Sequence, residues 1–238
     1  MLTLSQYQQL NSEHIEGVFE KMIHLVSVID DIDLIDVEKW NSSKLIQSYN
    51  VAVKKAIISE RHAKQIEIEG IKLDLIPSNQ YTLGQFINLE TYVNEGFEKN
   101  LDKISATLFL NIQGGGMTDE ITEEYSLVNI DYRAELIGDI PVNQIYGACK
   151  KYLKFRENFF DSYEIFSDPL SDVDPSKLDE DELIIYNEEI KEREKQGSNQ
   201  WLTILNILSN NDLTKFDQIL KQNLFLTFNQ LSWLKSNK

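Results

Sequence analysis

The feature that most constrains this chain is a helix start that occurs twice. Thr3-Leu4-Ser5-Gln6-Tyr7-Gln8-Gln9-Leu10 returns as Thr82-Leu83-Gly84-Gln85-Phe86-Ile87-Asn88-Leu89. In each copy Thr and Gln stand at capping-box spacing, where the Thr hydroxyl accepts from one free amide and the Gln carbonyl from another. Leu4, Tyr7 and Leu10, like Leu83, Phe86 and Leu89, fall on one helical face. The match continues in Phe97-Glu98-Lys99 against Phe19-Glu20-Lys21, and in Leu101 and Ile104 against Ile23 and Val26. Gln144-Ile145-Tyr146 with Lys150-Lys151 echoes Gln47-Ser48-Tyr49 with Lys54-Lys55. The repetition predicts a duplicated helical unit, over 3–64 and 82–166. Two copies are too few for a solenoid.

Between the copies the hydrophobic period changes to two. Ile66, Ile68, Ile71, Leu73 and Leu75 alternate with polar residues around Glu69-Gly70, a hairpin signal that Pro77 ends. Elsewhere the spacing is helical. Ser12 is placed to cap a second helix whose stripe is Ile15, Val18, Phe19, Met22, Ile23 and Val26. Residues 30–42 read as an acidic loop anchored by Trp40. Residues 43–64 read as a helix carrying Leu45, Ile46, Tyr49, Val53, Ala56 and Ile57. Asp139-Ile140-Pro141 opens another helix, with Val142, Ile145, Tyr146, Cys149, Tyr152, Leu153 and Phe159-Phe160 along it.

Residues 168–194 hold 11 acids against three bases. Their first part reads as an extended connector and 178–195 as a charged helix. Trp201 to Trp233 reads as two apolar helices joined at Asn210-Asn211-Asp212, with Asp212 as a cap. The expected fold is mainly α. It comprises an N-terminal helical unit over 1–64, a β-hairpin connector over 65–80 and a related second unit over 81–166. An acidic connector with a charged helix over 167–198 and a C-terminal helical hairpin over 199–238 complete it.

A formal net charge of −16 opposes contact with nucleic-acid phosphates or an anionic membrane, and favours basic partner surfaces. The N-terminus lacks the pattern of a signal peptide, and no run approaches a membrane span. The single cysteine, Cys149, lies in an apolar stretch and reads as a buried structural thiol. His14, His24 and His62 are scattered, without metal-ligand spacing. Asp172-Val173-Asp174-Pro175-Ser176 begins like a calcium loop, but Lys177 stands where the glycine belongs. Gly114-Gly115-Gly116 has no Lys-Ser/Thr after it and no evident strand before it, which leaves a phosphate loop as the weaker reading beside a plain loop. No catalytic residue, cofactor or metal is therefore expected, and the chain is expected to work by binding proteins.

The candidate contacts are Trp40, Trp201 and Trp233, each also fit for a core, and Ile66, Ile68, Ile71 and Leu73 of the hairpin. A lone hairpin is marginal in water, which makes strand addition from a neighbouring subunit the expected use of this one.

The phrase Thr82-Leu83-Gly84-Gln85-Phe86-Ile87-Asn88-Leu89-Glu90, set just after an alternating hairpin, resembles a pattern in tailed-bacteriophage proteins of the tail-assembly-chaperone or neck-ring type. Trp201-Leu202-Thr203-Ile204-Leu205 and Asn211-Asp212-Leu213-Thr214-Lys215-Phe216-Asp217 resemble the same group. The acidic, Asn/Ile/Lys-rich character is similar to ring proteins of crAss-like phages. The acidic segment 168–195 departs from that pattern. The resemblance implies a virion subunit of the tail or neck, assembled in the host cytoplasm. It would touch copies of itself in a ring, and the portal and adjacent tail or ring proteins. An assembly chaperone that leaves before maturation is the alternative it implies.

Overall fold

In the computed structural model, which describes residues 2–12, 15–58, 62–113, 120–121, 127–163, 179, 186 and 200–236, both capping boxes close. Thr3 N–H donates to Gln6 Oε1 at 3.1 Å, and Gln6 N–H to Thr3 Oγ1 at 3.3 Å. Thr82 N–H donates to Gln85 Oε1 at 2.9 Å, and Gln85 N–H to Thr82 Oγ1 at 3.2 Å. Helices α1 (Leu4–Ser12) and α5 (Leu83–Asn94) start from these boxes.

The fold is mainly helical, with a small antiparallel sheet. It divides into two units interleaved along the chain. Unit 1 is Met1–Pro77 with Asn88–Leu153, and unit 2 is Ser78–Ile87 with Lys154–Lys238. The divisions fall inside α5 and inside the long helix opened by Pro141.

In unit 1, α2 (Val18–Asp30) packs against α1, against the short α3 (Leu34–Glu38), and against α4 (Ser42–Ala56). Helix α2 stops at Asp31, a left-handed residue with φ of 52°. Asp33 caps α3 by accepting from Ile35 N–H, and Asn41 caps α4 by accepting from Lys44 N–H. The expected acidic loop over 30–42 thus contains a helical turn. The helix expected over 43–64 ends at Ala56. Ser12 does not cap α2. It closes α1, donating its hydroxyl to the Gln9 carbonyl at 2.9 Å, and Gly17 precedes α2 without a side-chain cap.

Strands β1 (Gln65–Ile68) and β2 (Ile71–Leu75) form the hairpin, in register from Gln65↔Asp74 to Ile68↔Ile71. Glu69 and Gly70 both take positive φ, 52° and 80°, as a tight hairpin turn requires. The hairpin is not alone. Helix α6 (Leu101–Leu108) runs directly into β3 (Phe109–Leu110), which adds to β2 at Asp74↔Leu110 and Leu75↔Phe109. The sheet order is β1-β2-β3. A second pairing joins β4 (Ile112–Gln113) to β5 (Glu120–Ile121). Unit 1 also holds α7 (Leu127–Ile137), packed on α6, and the first part of α8 (Val142–Asp161).

Unit 2 contains the start of α5, the end of α8, α9 (Gln200–Ser209), α10 (Phe216–Leu220) and α11 (Leu224–Ser236). Asp212 caps a 3-10 turn at Leu213–Lys215 by accepting from Thr214 N–H at 3.1 Å. The expected second C-terminal helix is broken at Lys221–Asn223. The connector over 168–182 and the charged helix over 178–195 lie outside the described residues, apart from the isolated positions 179 and 186, and so do Gly114–Gly116.

Candidate functional site

Each unit is closed by the same device, a backbone clasp. In unit 1, Leu4 N–H donates to Ile140 O at 3.0 Å and Val142 N–H to Leu2 O at 3.0 Å, with Thr3 bridged to Pro141. In unit 2, Leu83 N–H donates to Gln222 O at 2.9 Å and Leu224 N–H to Tyr81 O at 2.8 Å, with Thr82 bridged to Asn223. The turns before the partners agree too: Ile140 N–H reaches Ile137 O at 2.9 Å, and Gln222 N–H reaches Ile219 O at 3.0 Å.

The pairing sets residues 137–149 in correspondence with 219–231. Ile137 and Ile219, Val142 and Leu224, Ile145 and Thr227, and Cys149 and Leu231 are buried at matching places. Tyr146 matches Phe228. The echo between Gln47-Ser48-Tyr49 and Gln144-Ile145-Tyr146 therefore does not join equivalent elements. Both Thr/Gln starts form capped helices, and the second start pairs with the stretch that opens α11.

The two clasps exchange bulk at one point. In unit 1, Ser5 N–H donates to Gly138 O at 3.0 Å, and a Cβ on Gly138 would strike the Ser5 hydroxyl. At the matching positions unit 2 has Gly84 and Leu220. The small residue has changed sides.

Behind the first clasp the Glu98 carboxylate accepts from two tyrosines. Tyr7 Oη donates to Oε2 at 2.7 Å and Tyr146 Oη to Oε1 at 3.2 Å, with the two rings edge-on at 5.7 Å. Burial, then the hydrogen bond to Glu98 and its charge, holds the Tyr7 phenol well above its ordinary range. Deeper in unit 1, Tyr152 Oη donates to Glu90 Oε1 at 2.7 Å, where both residues are buried. Arg133, also buried, donates Nη1 to the carbonyls of Ala106 and Phe109, each at 2.8 Å, at the C-terminal end of α6. These polar side chains hold helices to one another, and their positions are those of internal fastenings.

Cys149 is fully buried, with its Sγ 3.3 Å from Ser105 Oγ. Burial pushes the thiol up to about 12 from an ordinary 9.0, with the Glu98 charge adding and the Ser105 hydrogen bond opposing. An unfolded chain releases this proton first, so folding stability is intact below about pH 9 and declines as pH rises toward 12. Two results are expected. The melting temperature of the protein falls from pH 9 to pH 11, and falls less in Cys149→Ala. A thiol reagent labels Cys149 at least about a hundredfold more slowly in buffer than in urea at the same pH.

The contact candidates separate into two sets. Ile66, Ile68 and Leu73 are buried in unit 1, under the sheet that β3 completes. The reason for assigning the hairpin to a neighbouring subunit, its lack of another strand, is thus corrected. The strand it lacked is Phe109–Leu110, within the same chain. Ile71 is exposed beside the turn. Trp201 is half-buried in unit 2, 5.7 Å from the Phe86 ring and 6.5 Å from that of Phe228. Trp40 is half-buried, with Lys44 Nζ 3.5 Å from its ring centre. Trp233 is 64% exposed.

What the spacing did not distinguish is which face of α4 is core. Leu45 and Ala52 are buried, whereas Ile46, Val51, Val53 and Ile57 are exposed. Ile46 and Val53 each follow a buried residue by one position, about 100° around the helix, whereas Val51 precedes Ala52 and Ile57 lies at the C-cap.

Among the described residues no group of three or more His, Cys, Asp or Glu is placed to hold a metal ion. No helix among them is long and apolar enough to cross a membrane. No protein-family model matches the chain, and no curated protein or solved structure matches it either.

Proposed function

We propose that this chain is a structural subunit of a tail or neck ring in a tailed bacteriophage, working through contacts with copies of itself and with portal and adjacent tail proteins. The observation that carries the reading is the placement of the Thr82–Glu90 phrase. It follows the Gln65–Leu75 hairpin, as in the group it resembles, and it forms the clasp that closes unit 2. A motif used in this way is structural, and it suits a protein whose product is an assembly.

The polar interior agrees with this. Arg133, Glu98 and Glu90 are engaged with the backbone and tyrosines of their own unit. The exposed apolar side chains of α4 leave surface suited to a protein partner.

The test is mass spectrometry of purified virions of the phage that carries this chain, calibrated against the major capsid protein. A ring subunit gives a stoichiometric signal near a small multiple of about six or twelve. Abundant protein in infected cells with none in virions would overturn the ring and favour the assembly chaperone.

A further inference from the structure

We infer that the outer face of α4 is the contact by which one copy of this chain receives the next, and that the acid-rich stretch 168–194 of the neighbouring copy supplies the complementary charge. The inference rests on the ring reading only in assuming that the chain self-associates.

The face is built from Ile46 and Val53, which lie along one line of α4, and Ile57, which caps the helix at the end of that line, at exposures of 50%, 38% and 67%. Exposed single apolar residues are ordinary, but three β-branched ones in register make a stripe. Helix α4 is anchored by its other face, through Leu45 and Ala52, so the stripe is not needed to hold it in unit 1.

Charge selects the occupant. From 39 to 57 the chain has Lys39, Lys44, Lys54 and Lys55 and no acid, although the whole chain has 39 acids against 23 bases. Lys55 reaches Asp30 at 2.6 Å and Lys39 reaches Asp36 at 2.8 Å, so part of this charge is answered locally. Lys54 is exposed beside Val53 on the outer face. Against this the stretch 168–194 carries 11 acids and three bases, together with Leu183, Ile184 and Ile190. It offers the carboxylates and the few apolar side chains that a lysine-flanked apolar stripe would take. A contact between two different surfaces of one chain is heterologous, and such contacts close into rings when the rotation allows.

The experiment is sedimentation of the full chain over a concentration series, at low and high salt. The wild type is expected to self-associate, more weakly at high salt. Val53→Glu with Ile57→Glu is expected to weaken association at least about tenfold, with circular dichroism unchanged because both positions are exposed. Lys54→Glu is expected to weaken it less. Glu180→Lys with Glu182→Lys, added to Lys54→Glu, is expected to recover part of the loss. Cross-linking of mixed isotopically light and heavy chains should join α4 of one mass to 168–194 of the other.

A chain that stays monomeric to about 100 µM has no self-contact with a dissociation constant at or below about that concentration, and overturns the inference. So does association untouched by the double substitution, or cross-links found only within one chain. These outcomes are independent of virion content. A protein absent from virions that still associates through α4 sinks the ring alone, and a virion protein whose association ignores α4 sinks the contact alone.

Discussion

Phe86→Ala is expected to destabilise unit 2 by about 3–5 kcal/mol, the range for removing a fully buried aromatic side chain. Phe86 is fully buried. Its ring lies 4.9 Å from Phe159, 5.8 Å from Phe160, 6.5 Å from Phe155 and 5.7 Å from Trp201, three of the four contacts edge-on. Phe159 extends the cluster to Phe225 at 5.6 Å and Phe228 at 5.1 Å. Removing the central ring leaves a cavity that neighbours from several helices cannot all fill. Trp201 gives a direct reading, since its fluorescence should shift to the red and its urea transition move to lower concentration. Trp40 belongs to unit 1 and serves as the internal comparison. Phe86→Leu should recover more than half of the loss. A transition within about 1 kcal/mol of the wild type would mean that the cluster collapses around the gap.

The same residue shows what was legible in sequence. Thr82, Gln85 and Phe86 could be assigned as cap and core because capping is decided within three residues and a helical face within two turns. The repeat with Thr3, Gln6 and Tyr7 was visible for the same reason. The clasp partners were not. Pro141 and Asn223 share no side-chain chemistry, and what they share is a backbone pairing made across a long stretch of chain.

The hairpin tells the same story. Ile66, Ile68 and Leu73 announce two strands by alternation, but Phe109–Leu110 is two residues long and has no period to detect. Its absence from the reading made a core sheet look like a free one. Helix α4 failed in the opposite sense. Ile46, Val53 and Ile57 keep the spacing of a core stripe, and spacing alone does not say whether an apolar face meets its own chain or another. The candidate contact became visible only when Leu45 and Ala52 were seen to have taken the interior.

The second large effect is expected at Arg133, whose role in the sequence was hidden because a lone arginine on a helix has no signature. The guanidinium donates to Ala106 O and Phe109 O where α6 ends and β3 begins. The final carbonyls of a helix have no partner within it, and a cation there also meets the negative end of the helix dipole. Because the group is buried, water does not easily take its place.

Arg133→Met keeps much of the apolar stem, removes the donors and is expected to cost about 3 kcal/mol. Arg133→Lys should recover only part, because one ammonium on a shorter reach does not reproduce the planar fork. The measurement is hydrogen exchange with urea unfolding followed by Trp40. Loss of protection should concentrate at Phe109–Leu110 and at β2, whose Asp74 and Leu75 those residues pair with. Protection unchanged at β2 and β3 in Arg133→Met would show that the sheet holds its third strand without the arginine, and that the two 2.8 Å bonds are replaceable.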